Sequence, residues 1–112
     1  MNKEVKITRT WKGWTTIENA DIYENLLVNE IFPQIQKKGI KDLQKVNIYR
    51  QNKKKEVEFL LVIQFNSLDS VKAFAGDDYE VAYIPEKARQ VLLRYDKIAQ
   101  HYELKKELKL SN

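Results

Sequence analysis

The residues of this 112-residue chain that could carry chemistry are few, and most are aromatic or basic. His101, the single histidine, has an ordinary pKa near neutrality and is a candidate general base for a phenol. The alternative is that it is a hydrogen-bonded structural residue. Arg9 lies two residues before Trp11, so a strand would place both side chains on one face. An arginine on an apolar face needs a partner, which could be Glu80, Glu103 or a ligand oxyanion.

Several aromatic side chains are candidates for the walls of a pocket that takes a flat aromatic ligand. They are Trp11, Trp14, Tyr23, Phe74, Tyr79 and Tyr83. Pockets for small molecules are mostly apolar, with a few polar groups placed among the apolar ones. Tyr23 and Phe74 also fall at helical spacing within apolar stripes, and this spacing favours a place in the core for these two.

The composition argues against other kinds of site. The absence of cysteine excludes disulfides, thiolate metal sites and thiol nucleophiles. With one histidine there is no sign of a nucleophilic triad, and the glycines at positions 13, 39 and 76 form no phosphate-binding loop. His101 and Glu103 would supply only two ligands, so we expect no metal site.

Charge and hydropathy limit the kinds of partner that we expect for the chain. The chain has 20 basic and 16 acidic residues, a net charge of +4, with acids interleaved among the lysines. This pattern predicts a solvated lysine-rich surface, and we expect no nucleic-acid partner. No apolar run reaches the length of about 18 residues that a membrane span needs, so we expect no membrane association. The first residues lack the apolar core of a secretory signal, and a cytoplasmic location is expected.

The first half of the chain predicts a strand followed by a long helix. Apolar and polar residues alternate over residues 5–12, and Gly13 is expected to break that strand. An apolar stripe with spacings of three and four predicts a helix over residues 18–38. Pro33 should kink or tighten this helix, and Gly39 should end it.

The second half predicts a hairpin, two helices and a last strand. Strands are expected over residues 43–51 and 56–65, joined by a turn at 52–55. Ser67 is expected to cap a helix that ends at Gly76, with Leu68, Val71, Phe74 and Ala75 facing inward. Pro85 should begin a short helix whose inner residues are Ala88, Val91 and Leu92. A strand over residues 95–104 and a polar tail at 105–112 follow.

The order of these elements predicts an α+β fold. It is the ferredoxin-like β-α-β-β-α-β arrangement with an extra helix before the last strand, in a single domain over residues 1–112 whose core spans about 5–104. The helices cover one face of such a sheet. Residues 59–63 of the third strand are apolar without alternation, which indicates burial on both faces. A second copy of the same sheet is the simplest cover for the other face.

Five segments together resemble the antibiotic biosynthesis monooxygenase-like family. They are RTWKG from Arg9 to Gly13, Ala20 with Tyr23, Ser67, FAGDDYEVAYIPE from Phe74 to Glu86, and HYE from His101 to Glu103. The resemblance extends over about residues 5–104. It implies a dimeric α+β barrel, in which two ferredoxin-like sheets pack face to face in a homodimer, and this agrees with the burial argument.

The resemblance also implies an activity. Such proteins oxidise a small aromatic, often polyketide-like substrate with molecular oxygen, some without metal or flavin, so we expect no cofactor. His101 would be the base, Arg9 would stabilise an oxyanion, and Trp11 and Tyr23 would stack on the substrate. Two alternatives are a non-catalytic dimeric ligand-binding or stress-related protein, and a haem-binding and haem-degrading monooxygenase. Haem-degrading relatives use a histidine on a helix, whereas His101 lies in a predicted strand.

Overall fold

In a computed structural model, which describes residues 5–111, the chain forms an antiparallel sheet with helices on one face. The elements are β1 (Ile7–Thr16), α1 (Ala20–Leu26), α2 (Phe32–Lys37), β2 (Leu43–Asn52), β3 (Glu56–Phe65), α3 (Leu68–Ala75), α4 (Glu86–Val91), β4 (Leu92–Tyr95) and β5 (Gln100–Glu103). A π-helical segment, Leu27–Ile31, joins α1 to α2. The predicted α+β, ferredoxin-like order is confirmed, and α4 is the extra helix before the last strands.

Strand β1 lies in the middle of the sheet. The strand order is β2-β3-β1-β4, and β5 pairs with the same edge of β1 as β4 does. β5 lies beside residues 7–10 at the start of β1, and β4 lies beside residues 13–15 near its end. In this register Arg9 lies opposite Ile63 of β3 on one side and opposite His101 of β5 on the other. Directly opposed residues of antiparallel strands point to the same face, so Arg9 and His101 share a face.

Strand β1 does not end at Gly13, as the sequence suggested, but continues to Thr16. The indole of Trp11 lies over Gly13, and a Cβ built there would be 2.6 Å from Cη2 of the indole. Glycine therefore makes room for a large ring on the strand instead of interrupting it.

The predicted last strand over residues 95–104 is in fact two short strands. Helix α4 ends at Val91, and Leu92, which was expected to face inward from that helix, begins β4 instead. Between β4 and β5 the chain stays attached to β1, because the Asp96 N–H donates to the Lys12 carbonyl at 2.9 Å. Pro85 lies one position earlier than expected, as the residue that precedes the first turn of α4.

The long helix is distorted near Pro33, where a kink or a tightening was predicted, but it widens instead. The N–H of Phe32 donates to the carbonyl of Leu27, five residues back, which is a π-helical bond. Pro33 has no N–H to continue an α-helical ladder, and α2 begins around it. Gly39, with φ of 63°, follows the helix in the left-handed conformation, as predicted.

Helix α3 begins and ends where the sequence predicts. The Ser67 hydroxyl accepts a hydrogen bond from the Ser70 N–H at 3.1 Å, and Gly76 follows the last turn with φ of 90°. Val71 is fully buried against the sheet. Leu68, which is expected on the inner face, is instead exposed, because it lies in the first turn of α3 at an open surface depression shared with Val5 and Ile7.

The two faces of the sheet differ in burial. On the face covered by helices the side chains of β3 are buried: Val57, Phe59, Leu61, Ile63 and Phe65. On the other face Leu60 and Val62 are only half-buried within one chain. None of the helices in residues 5–111 is both long and apolar enough to cross a bilayer.

Candidate ligand-binding site

Arg9 is the charged residue at the centre of the candidate site. It lies on the helix-covered face of β1, and only 5% of its surface is exposed. Its Nη1 donates to the backbone carbonyl of Tyr79 at 2.5 Å and lies 3.0 Å from Nε2 of His101. The guanidinium carbon lies 5.4 Å from the centre of the Phe74 ring, within cation–π range. Strand register and the loop after α3 thus fix the guanidinium from two sides.

The contact with Arg9 determines the protonation of His101. A guanidinium has donors only, so Nε2 of His101 must accept the hydrogen bond, and the ring proton of the neutral imidazole is on Nδ1. Burial, followed by the positive charge of Arg9, lowers the pKa of His101, while Glu80 acts in the opposite direction. The imidazole is therefore neutral at pH 7, and its ring packs edge-on against Tyr79 with centroids 5.1 Å apart.

The positive charge of Arg9 has no carboxylate partner within residues 5–111. Neither acid expected from the sequence pairs with it, and Glu103 instead accepts from Lys105 at 2.8 Å. Burial lowers the pKa of Arg9 to about 10, which leaves the group charged at neutral pH. A buried cation without a counter-charge is unfavourable. The arrangement therefore suits an anion that comes from outside the chain.

A cavity of about 420 Å³ lies beside Arg9, between the sheet and the helices. Its walls are mostly apolar side chains from every layer of the fold: Trp11, Leu61 and Ile63 of the sheet; Tyr23, Leu27, Ile31 and Ile35 of the long helix; Phe74 of α3; and Ile84 and Ala88 near α4. This volume is within the range of small-molecule sites, and a few convergent polar groups in an apolar cavity are typical of them.

Trp11 is held in the cavity wall by packing and by one hydrogen bond. Its Nε1 donates to the Asp96 carbonyl at 2.7 Å, in the stretch between β4 and β5. The six-membered part of the indole lies over Gly13, and the Tyr95 ring is 6.3 Å away between centroids. The indole is therefore fixed in position before any ligand arrives.

Tyr23 contributes an aromatic wall from the helix side. It is almost fully buried and meets the Phe59 ring edge-on, with centroids 4.8 Å apart. Burial raises the pKa of its hydroxyl above the ordinary value, so the group remains protonated at neutral pH. Tyr23 is thus a neutral wall residue that can donate a hydrogen bond.

The π-helical segment forms part of the cavity and of its mouth. Leu27, Glu30 and Ile31 of this segment all line the cavity. Glu30 accepts from Lys87 of α4 at 2.8 Å, which bridges the long helix and α4. Both side chains are largely exposed, so this ion pair contributes little to stability. π turns are frequent at functional sites, which makes this location notable.

The structure brings together five of the candidate residues that the sequence singled out. Arg9, Trp11, Tyr23, Phe74 and Tyr83 line the cavity. Tyr83 does so from the rim, where it is 79% exposed.

The remaining three candidates lie outside the cavity wall. Tyr79 and His101 contact Arg9 but do not line the cavity, so Arg9 separates them from it. Trp14 lies on the opposite face, where its Nε1 donates to Glu58 at 3.2 Å and Arg94 stacks on its ring. Trp14 is five residues from Arg9, and an odd separation along a strand places two side chains on opposite faces.

Sequence reasoning identified Tyr23 but missed the contribution of the rest of the long helix. Ile31 and Ile35 belong to the predicted apolar stripe and were assigned to packing only. The pair of Glu30 and Lys87 at the mouth was not foreseen, because it joins residues that are distant in sequence. Pro33 was the available signal, since a proline within an apolar stripe marks a place where the helix departs from regular geometry.

Comparison with solved structures shows two proteins of the same fold. A candidate antibiotic biosynthesis monooxygenase from Bacillus cereus superposes with a TM-score of 0.66 at 10% identity, over 94% of this chain and 98% of that one. A conserved protein from Methanosarcina mazei Go1 superposes with a TM-score of 0.65 at 14% identity, over 91% and 95%. No protein-family model and no curated protein matches the sequence. The resemblance seen in the sequence is thereby confirmed as a likeness of fold.

Proposed function

We propose that this protein is a monooxygenase-like protein that binds a small aromatic or polyketide-like substrate, in anionic form, in the cavity beside Arg9. The observation that carries the proposal is a buried guanidinium without a carboxylate partner in residues 5–111, at the wall of an apolar cavity of about 420 Å³. The aromatic walls at Trp11 and Tyr23 suit a flat ring system, and Arg9 suits its negative charge.

Fluorescence tests binding directly, because Trp11 and Trp14 are the only tryptophans of the chain. We expect 2-naphthol to quench tryptophan emission in a saturable way. The quenching should persist in Trp14→Phe, whose indole lies on the other face, and should disappear in Trp11→Phe. If the quenching instead persists in Trp11→Phe and disappears in Trp14→Phe, the ligand binds on the face of the sheet opposite the cavity, which would contradict the proposal.

Removal of the guanidinium should weaken the binding of an anionic ligand. A hydrogen bond to a charged group contributes about 1.5–3 kcal/mol, so Arg9→Ala should lower the affinity about tenfold to a hundredfold. The matched control is Arg50→Ala, which removes an arginine that pairs with Asp21 and Glu24 outside the cavity. Equal affinity in the wild type and Arg9→Ala would remove the basis of the proposal.

The reaction we propose is oxidation by molecular oxygen without metal or flavin, in which the substrate anion supplies the electrons. In a balanced form, an activated CH₂ group becomes a carbonyl. One oxygen atom enters the substrate, and the other leaves as water with the two hydrogens. Nε2 of His101 accepts a hydrogen bond from Arg9, so it cannot accept a proton in this arrangement. His101 can take the first proton from the substrate only after the Arg9 guanidinium moves from Nε2 to the substrate oxyanion.

Oxygen consumption with anthrone as the probe tests this step. We expect consumption of oxygen and formation of anthraquinone above the rate without protein. His101→Ala should lower turnover more than binding if His101 is the base.

The second candidate function is a non-catalytic dimeric protein that binds ligands in the same cavity. The observation that favours it is the hydrogen bond between Arg9 and His101. Because Nε2 of His101 accepts from Arg9 and His101 does not line the cavity, the imidazole is not available as a base at the cavity wall. Saturable binding of 2-naphthol without oxygen consumption with anthrone would favour this candidate over the oxygenase.

The geometry of this site does not favour haem binding, the other alternative function. His101 is on strand β5, outside the cavity wall, and its Nε2 is engaged by Arg9. We predict no specific haem complex. A saturable Soret shift with hemin that is lost in His101→Ala would contradict this prediction.

We also propose that the protein acts as a homodimer through the open face of its sheet. Leu60 and Val62 lie on this face beside Tyr49, which is exposed in the single chain. Two such faces packed together would form an isologous interface and close an α+β barrel. Sedimentation at micromolar concentration should give a mass near twice 13.3 kDa, and a clean monomer would contradict the proposal.

A further inference from the structure

The guanidinium of Arg9 uses only one of its nitrogens within the protein. A guanidinium has five N–H groups, two on each Nη and one on Nε. The two on Nη1 are directed to the Tyr79 carbonyl and to Nε2 of His101. No atom of residues 5–111 accepts from the other three N–H groups, which are on Nε and Nη2. Neither Nε nor Nη2 is among the side-chain atoms that are fully buried without a hydrogen-bond partner. Nε and Nη2 thus keep some exposed surface, and Arg9 is one of the residues that line the cavity.

The three remaining N–H groups have a defined shape. Nε–H and one N–H of Nη2 point in parallel from one edge of the planar group, which is the fork that matches two oxygens of one carboxylate. The partners on Nη1 hold the plane of the guanidinium, since they come from two different elements, the loop at Tyr79 and strand β5 at His101. The fork is therefore preorganised for a planar acid group.

We propose that the substrate of this site carries a carboxylate that binds to the Nε and Nη2 edge of Arg9, an inference that rests on the proposed function of the cavity. The substrate class is then an aromatic or polyketide-like monocarboxylate, whose ring system lies against Trp11 and Tyr23. Arg9 acts as the anchor of the acid group, and His101 positions Arg9 as long as its Nε2 accepts from Nη1, that is, before any proton transfer to His101.

The charge of the site favours a monoanion over a phosphate. Arg9 supplies one positive charge, and the walls around it are apolar. A phosphate monoester carries about 1.5–2 negative charges at pH 7, so part of its charge would be buried without a partner. A neutral phenol would leave one N–H of the fork without an acceptor.

Matched naphthalene probes test the head group while the ring system stays constant. The affinities of 2-naphthoate, 2-naphthol and 2-naphthyl phosphate are measured at pH 7 by tryptophan quenching, in wild type, in Arg9→Lys and in the control Arg50→Lys. We expect 2-naphthoate to bind at least about tenfold more tightly than either other probe in wild type and in Arg50→Lys. Arg9→Lys keeps the charge but removes the fork, so this preference should largely disappear.

The outcomes separate this inference from the proposed function. If 2-naphthol binds as tightly as 2-naphthoate and Trp11→Phe abolishes the signal, the cavity binds aromatic ligands and the carboxylate inference is wrong. If Arg9→Lys retains the full preference, the fork is not the cause and the inference is equally wrong. If none of the probes binds, the proposed function fails and the inference fails with it.

Discussion

Gly13→Ala tests whether the shape of strand β1 depends on the indole that lies over it. The new Cβ would lie 2.6 Å from Cη2 of Trp11, 3.0 Å from Cζ3, and 3.2 Å from Cδ2 of Leu92. The indole has little freedom to retreat, because it is buried and its Nε1 is bound to the Asp96 carbonyl at 2.7 Å. The φ angle of Gly13 is not positive, so alanine meets a steric clash and no backbone strain.

Two opposed effects set the size of the change. Insertion of a methyl group into a packed site costs about 1–3 kcal/mol. Replacement of glycine by alanine within a strand returns about 0.5–1 kcal/mol, because the unfolded chain loses freedom. We therefore expect Gly13→Ala to lower the free energy of unfolding by about 1 kcal/mol, and by no more than about 2.5 kcal/mol.

A double-mutant cycle with Trp11→Phe isolates the clash. Phenylalanine lacks the outer ring atoms that the new methyl group would meet, so in the Trp11→Phe background Gly13→Ala should be neutral or stabilising by up to about 1 kcal/mol. Urea unfolding followed by circular dichroism at a fixed protein concentration measures all four proteins. An equal loss of stability in both backgrounds would refute the claim that the indole explains the glycine.

The remaining predictions concern pH, a helix cap and assembly. The pKa of His101 is lowered in the folded protein, so the unfolded state binds more protons, and the free energy of unfolding should fall as the pH drops below about 6.5. Urea unfolding at pH 7.5 and 5.5 should show a larger loss in wild type than in His101→Gln; equal losses would contradict this. Ser67→Ala removes the cap of α3 and should cost about 1 kcal/mol, whereas Ser70→Ala removes a buried hydroxyl without a partner and should be neutral or stabilising. Thermal unfolding of both variants checks the contrast, which a larger loss in Ser70→Ala would contradict. Val62→Lys should give a monomer in sedimentation, because dimerisation would bury an unpaired charge, and an unchanged dimer would exclude the open face as the interface.

The element order was predictable because each element has a local signal. Strand β3 has the bounds that its apolar run indicates, and the helix after Ser67 begins with the expected cap. The break between β4 and β5 was not predictable, because it depends on where β1 lies. The Asp96 N–H finds its acceptor on Lys12, 84 positions earlier in the chain, and no local pattern encodes that bond.

The candidate site was predictable in part for a similar reason. Arg9 and Trp11 share a face by the period of the strand, and Trp14 could have been assigned to the opposite face by the same rule. The predicted order of elements places the last strand beside the first, and in the structure His101 lies opposite Arg9. The sequence does not show that Arg9, and not His101, lines the cavity. That order depends on the path of the loop at Tyr79, whose carbonyl holds the guanidinium.

The π-helical segment lets the long helix hold one extra residue without changing which of its later residues face the cavity. A π turn accommodates one more residue than an α turn, so deletion of one residue within Leu27–Ile31 would restore regular α geometry. Ile35 and Lys38 would then stay on nearly the same side of the helix, whereas a deletion in regular α geometry would rotate them by about 100°. The gain or loss of one codon in this segment would therefore change the cavity wall locally, at Leu27 and Ile31, and leave the later turn of the helix in place.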